Sequence, residues 1–201
     1  LSEVVRGRTS YVLVRTEKGA DVAAVAAEIR RRLPYNDVYT RADWAALGAP
    51  EGPLVVYLGR VSREKGLETL SAAFTALLGV HPEAVLGVIG DGPYRQTLED
   101  SLRATGRAFF AGEVTGEDLP RLLGAADVFA FPSTTDTFGN AVVEALACGI
   151  PAIVTDQGGP CEIVQDGRSG LVVAGDDPTA LCEALSKLVA DGALRSTMGE
   201  A

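Results

Sequence analysis

Histidine and cysteine are scarce in this sequence. His81 is the single histidine in 201 residues, so no HxxxH or HExxH pair exists and a histidine metal site is excluded. The three cysteines, Cys148, Cys161 and Cys182, are odd in number and lack CxxC spacing. That argues against a zinc site and against a disulfide framework, and they read as small buried hydrophobes of a reducing, cytoplasmic protein. No apolar run approaches the ~18 residues a membrane helix needs. Leu1–Ser10 carries Glu3, Arg6 and Arg8 without an apolar stretch, so no signal peptide is visible. The first residue is not Met, which reads as a fragment or a processed chain. Positive charge is also in short supply, with 18 basic against 27 acidic residues and a formal charge of −9. Nucleic acid and anionic membranes are therefore poor partners. An anionic ligand needs a local cationic pocket. The nucleophile elbow G-x-S-x-G, the Walker loop and the dinucleotide fingerprint G-x-G-x-x-G are all missing, which argues against esterase, P-loop and nicotinamide chemistry.

What is present is a globular composition, with 47% hydrophobic and 22% charged residues, enough for a real core. Two textures divide it. Over residues 1–50, Ser10–Thr16 alternates like a strand. Asp21 caps an Ala-rich helix, Val22–Leu33, whose last turn is basic, as the helix dipole favours. Asn36–Thr40 reads as a second short strand, giving a small β-α-β segment in which Tyr11, Tyr35 and Trp44 are expected to pack. Ala46–Pro53 reads as a linker.

From residue 51 to 201 the rhythm is regular. Apolar strands are expected at Leu54–Leu58, Ala84–Ile89, Ala108–Ala111, Asp127–Phe131, Ala152–Thr155 and Leu171–Val173. Helices are expected at Lys65–Val80, Tyr94–Ala104, Glu117–Ala125, Gly139–Cys148 and Thr179–Ala190. Continuous apolar strands alternating with helices predict an α/β domain with a Rossmann-like, doubly wound parallel sheet. Ligands of such sheets lie beyond the carboxyl ends of the strands, so the loops there carry the functional information.

The first such loop, GRVSREKG (59–66), sets Gly59, Arg60, Arg63 and Lys65 before a helix. Backbone amides and cationic side chains at a helix start suit a phosphate or diphosphate. The second, GDGP (90–93), reads equally as a structural turn or a ligand contact. The third runs STTDTFGN (133–140) into a helix bearing Glu144, eight positions after Asp136. A carboxylate there can accept two neighbouring ribose hydroxyls. Phe138, Gly139 and Asn140 would present helix-start amides to a phosphate or sugar. Ordinary acidic residues at a helix start are the alternative. His81 reads as a turn residue.

These stretches, GRVSREKG, GDGP, FFAGEV, ADVFAFPS, TDTFGNAVVEALACGIPAIVTDQGG and GRSGLVV, resemble the donor-binding domain of retaining GT-B glycosyltransferases of the glycogen-synthase-like and mannosyltransferase-like group. The likeness covers residues 54–200. It implies transfer of a hexose, with retention, from a UDP- or GDP-linked donor used as co-substrate, without a further cofactor or metal. Arg60 and Lys65, with Gly59, would hold the diphosphate. Thr137, Phe138, Gly139 and Asn140 would line the donor phosphate and sugar. Glu144 would bind the ribose, and Asp136 would face the transferred sugar in place of the Glu usual there. Glu113 and Val114 would border the nucleobase, with Gly90 and Gly92 shaping the neighbouring wall. Asp136 and Glu144 are thus the catalytic candidates.

The resemblance also implies an N-terminal, acceptor-binding domain, for which about 50 residues are too few. The chain alone is therefore expected to be inactive in transfer. Residues 8–44 resemble, over a short stretch, a β-α-β piece from the extracytoplasmic part of a bacterial transporter permease, and no transport is inferred from it. The alternative expectation is a nucleotide-binding module, or a mosaic fragment, without transferase activity.

Overall fold

The computed structural model describes residues 42–116 and 118–201, together with Asp21, Ala24, Val25, Ala27 and Glu28. Helix α1 spans Ala42–Ala46. Six strands follow: β1 Leu54–Leu58, β2 Val85–Ile89, β3 Ala108–Gly112, β4 Val128–Phe131, β5 Ala152–Thr155 and β6 Gly170–Val173. They are joined by α2 Leu67–Leu77, α3 Arg95–Leu102, α4 Asp118–Gly124, α5 Asn140–Ala147 and α6 Pro160–Ile163. Helices α7 Pro178–Ala190 and α8 Gly192–Gly199 close the chain.

All neighbouring strands are parallel, in the order β3-β2-β1-β4-β5-β6. This is the expected α/β, Rossmann-like sheet. Strands β2, β4 and β5 are buried along their whole length, because helices cover both faces. Only such two-sided burial explains why their sequences are unbroken apolar runs rather than alternating ones. Right-handed crossovers place α2 and α3 on one face and α4 and α5 on the other. Accordingly α2 packs on α3 and α7, while α5 packs on α6. The strand order reverses between β1 and β4, and the crevice at their carboxyl ends is the switch point.

Several expected boundaries move for physical reasons. The helix expected over Lys65–Val80 begins at Leu67 and ends at Leu77. A 3-10 turn, Arg63–Lys65, precedes it, and Gly66 between them is left-handed at φ 68°. A side chain at Gly66 would overlap the Pro132 carbonyl oxygen, so the turn is tight because the β4 loop lies against it. Strand β4 starts one residue later than expected, since Asp127 uses its carboxylate to accept from the Leu54 amide at 2.7 Å. Helices α6 and α8 lie where none was expected. Helix α8 starts where Asp191 Oδ1 accepts from the Leu194 amide at 2.9 Å.

Trp44 is a correction. Its ring is only 1% exposed, and its Nε1 donates to the Leu122 carbonyl at 2.8 Å. The ring fills the space above Gly87 of β2, where any side chain would collide with it. Trp44 therefore packs into the sheet domain, not into the segment before it. Tyr11, Tyr35 and most of the expected β-α-β lie outside the described residues. Within them, Asp21 Oδ1 accepts from the Ala24 amide at 3.0 Å, the expected helix cap. Of the three cysteines only Cys148 is buried; Cys161 and Cys182 are half-buried, and all three thiols are free. Burial, then the Glu144 charge, pushes the Cys148 thiol up to about 11. Among the described residues no helix is long and apolar enough to cross a membrane.

Candidate functional site

At the switch point, the β1 and β4 loops meet. Lys65 Nζ donates to Asp136 Oδ1 at 2.7 Å and to Oδ2 at 2.9 Å. The two side chains are 19% and 20% exposed, so this ion pair is partly shielded from bulk water. Around it the backbone is pinned. Thr135 Oγ1 donates to the Glu64 carbonyl at 3.2 Å. The Gly159 amide donates to the Asp136 carbonyl at 2.8 Å. Thr155 Oγ1 donates to the Ser133 carbonyl at 2.8 Å. Three loops, those after β1, β4 and β5, are thereby stitched into one wall.

Beneath that wall lies Tyr57, buried in β1 and stacked on Phe131. Its hydroxyl donates to the Arg60 carbonyl at 2.9 Å. Burial, with the Asp136 and Glu64 charges adding, raises the phenol well above its ordinary value, so it remains a donor. Sequence reasoning passed over Tyr57, although one polar-tipped ring in an aliphatic strand is a signal that the strand end is anchored.

The expected diphosphate ligands divide. Arg60 is exposed, and no hydrogen bond or ion pair engages its side chain among the described residues. Arg63 is spent on Glu68 at 3.1 Å. Lys65 is held by Asp136. The free helix amides that the sequence placed within this loop belong to Leu67 and beyond, because α2 starts there.

The β4 loop delivers the other candidates. Gly139 is left-handed at φ 89° and starts α5 without a side-chain cap, leaving the first amides of that helix available. Thr137 and Asn140 are exposed, and Phe138 is 57% exposed. Glu144 sits one turn beyond Asn140 on the same side of α5. It is exposed, and no hydrogen bond or ion pair engages its side chain among the described residues. Asp136 and Glu144 are thus carried by one loop-helix unit, and no hydrogen bond joins them.

Gly90 and Gly92 lie against the β1 loop. Side chains there would overlap the carbonyl oxygens of Gly59 and Val61. Their close packing favours the structural reading of that turn. Glu113 and Val114 follow β3 and line a recess of about 430 Å³, with Asp43 and Ala46 of α1 and Arg121 of α4 opposite. The recess is a separate feature, since neither Lys65 nor Asp136 lines it. Its α1 wall was not foreseen, because residues 42–46 were assigned to another unit. Among the described residues, no group of three or more His, Cys, Asp or Glu converges as a metal site would. His81 lies between α2 and β2, at the amino end of the sheet, with Nε2 2.9 Å from Ser186 Oγ.

A family model for glycosyl transferases, group 1, matches residues 41–201. The D-inositol 3-phosphate glycosyltransferase of Corynebacterium jeikeium is 36% identical over 190 residues, covering 89% of this chain and 45% of that protein. The solved C-terminal domain of a group 1 family glycosyl transferase from Francisella tularensis matches with a TM-score of 0.71 at 23% identity, over 80% of this chain and 87% of that one. Anabaena HepE, solved with UDP and glucose, matches with a TM-score of 0.67 at 24% identity, over 88% of this chain and 45% of that one. The chain spans between 30% and 51% of the length of the curated relatives it matches.

Proposed function

The chain belongs to the group 1 glycosyl transferases, and from that premise we propose that its described residues hold the nucleotide-sugar donor of a hexosyl transfer. The observation that carries the reading is the Lys65–Asp136 pair at the switch point. It sets a cation and a carboxylate side by side, next to the uncapped start of α5.

A UDP- or GDP-linked hexose fits as follows. Arg60, Lys65 and the α5 amides receive the diphosphate, whose negative charge grows as the bond from the sugar C1 to the phosphate oxygen breaks. Glu144 accepts from the ribose hydroxyls. Asp136 accepts from the sugar. The base lies toward Glu113 and Val114. Thr137 to Asn140 shape the floor between diphosphate and sugar. UDP beside HepE in its solved complex supports this class of ligand. The acceptor hydroxyl would attack C1 on the face the nucleotide leaves, giving retention. An acceptor-binding wall supplied by residues beyond 42–201 completes the cleft in this reading.

Isothermal calorimetry with UDP, GDP, UDP-glucose and GDP-mannose tests it. A charged hydrogen bond contributes roughly 1.5–3 kcal/mol. Arg60→Ala and Lys65→Ala should each weaken binding by about tenfold or more. Unchanged affinity in both variants overturns the assignment. Donor binding without transfer, even once an acceptor domain is added, favours a pure nucleotide-binding module instead.

A further inference from the structure

Resting on that donor-site reading, we propose that Asp136 is a specificity-determining competitor of the diphosphate: it holds Lys65 until an intact sugar nucleotide arrives, and so favours the donor over the bare nucleoside diphosphate. Lys65 spends its ammonium on both carboxylate oxygens of Asp136, at 2.7 and 2.9 Å. A lysine has three donors and no acceptor, so one donor is left for a phosphate while that grip lasts, and its charge is already neutralised.

Both segments that carry the pair are anchored by their backbone. The Lys65 amide donates to the Ser62 carbonyl at 3.1 Å, and the Asp136 carbonyl accepts from Gly159 at 2.8 Å. The segments also pack closely: a side chain at Gly66, next to Lys65, would overlap the Pro132 carbonyl oxygen, and side chains at Gly158 and Gly159 would overlap those of Asp136 and Thr137. In this proposal the lysine side chain swings to the diphosphate, while the backbone that carries Asp136 stays in place. A half-buried carboxylate, 20% exposed, then loses its partner, which costs free energy wherever water does not fully replace that partner.

The two kinds of ligand differ at this point. The ionised phosphates of a nucleoside diphosphate only accept hydrogen bonds, so they offer Asp136 nothing and repel it. A sugar nucleotide carries hydroxyl donors beyond the second phosphate, and these replace the lysine on Asp136. The exchange is thus complete for the donor and half-complete for the product, which assists product release.

The test is a double-mutant cycle read by calorimetry on the 201-residue chain, with UDP, GDP, UDP-glucose and GDP-mannose as probes. Asp136→Asn should bind the matching nucleoside diphosphate roughly three- to tenfold tighter. Its preference for the sugar nucleotide over the diphosphate should fall by at least that factor. In the Lys65→Ala background the same substitution should strengthen diphosphate binding far less, because no lysine remains to be released. That arm separates release of Lys65 from simple removal of a negative charge. Asp136→Ala serves if the asparagine variant melts early. Weaker or unchanged diphosphate binding in Asp136→Asn, or an equal gain in both backgrounds, overturns the proposal while leaving the donor site intact. If neither wild type nor variants bind any probe, the donor-site reading itself falls, and the competition with it.

Discussion

Glu144 is the residue whose role binding measurements isolate most cleanly. It is exposed and unengaged among the described residues, so replacing it disturbs little of the fold. Glu144→Gln keeps the shape and removes the charge and one acceptor. Binding of UDP or GDP should weaken by about tenfold, whereas binding of inorganic pyrophosphate should hardly change. Equal loss for both ligands would place Glu144 on the diphosphate or in the fold. The candidate residues were legible because strand-to-helix loops of a parallel sheet are few and their polar residues have few structural duties. Legibility ended where two residues act together. Lys65 and Asp136 stand 71 positions apart, and nothing in their local sequence says that each is the other's partner. Tyr57 was hidden differently. Its ring satisfies the strand pattern, and only the fold reveals that its hydroxyl props up Arg60.

Among the elements, the long ones were readable from apolar runs and helical spacing, while the short ones depended on tertiary contacts. Helix α1 has five residues, far too few to be stable by propensity. It exists because Trp44 docks it onto β2 and α4. Trp44→Ala should cost about 3–5 kcal/mol, as large buried aromatics do, and urea unfolding followed by far-ultraviolet circular dichroism measures it. A loss below about 1 kcal/mol would show that α1 is an appendage. As the single tryptophan, Trp44 also reports its own docking by fluorescence, with blue-shifted emission in the folded chain and a red shift on unfolding. The contact between the β5 and β4 loops makes a second element-level case. At Gly159 the backbone angles are ordinary (φ −70°), so the need for glycine is space alone. A methyl group there meets the Thr137 carbonyl. Gly159→Ala should destabilise by about 1–3 kcal/mol and should also weaken nucleotide binding, since the loop displaced carries Asp136. A stable variant with wild-type affinity would mean that the two loops move independently. The glycine pair was visible in the sequence, but its reason was not, because the obstructing carbonyl belongs to a loop more than twenty residues earlier.

At the scale of the whole molecule, holding a donor is not enough for catalysis. Hexosyl transfer needs donor and acceptor in near-attack geometry with water kept out. The sheet offers one wall, built from the loops after β1, β4 and β5. Of its candidate carboxylates, Asp136 is charge-paired with Lys65 and Glu144 is open to solvent. Neither is set up as a general base for an acceptor. The one histidine cannot substitute, because His81 lies at the amino end of the sheet, next to Glu83 and Ser186. A polypeptide of these 201 residues is therefore expected to bind a sugar nucleotide, weakly because the crevice is open on one side, and not to transfer the sugar. Mixing it with UDP-glucose or GDP-mannose and a panel of hydroxyl acceptors, then assaying for glycosylated product by mass spectrometry, checks this. Product at the level of a Glu144→Ala control is the expected result. Donor-dependent product well above that control would mean that residues 1–41 or a second copy of the chain complete the cleft. The acceptor wall would then have to be sought there.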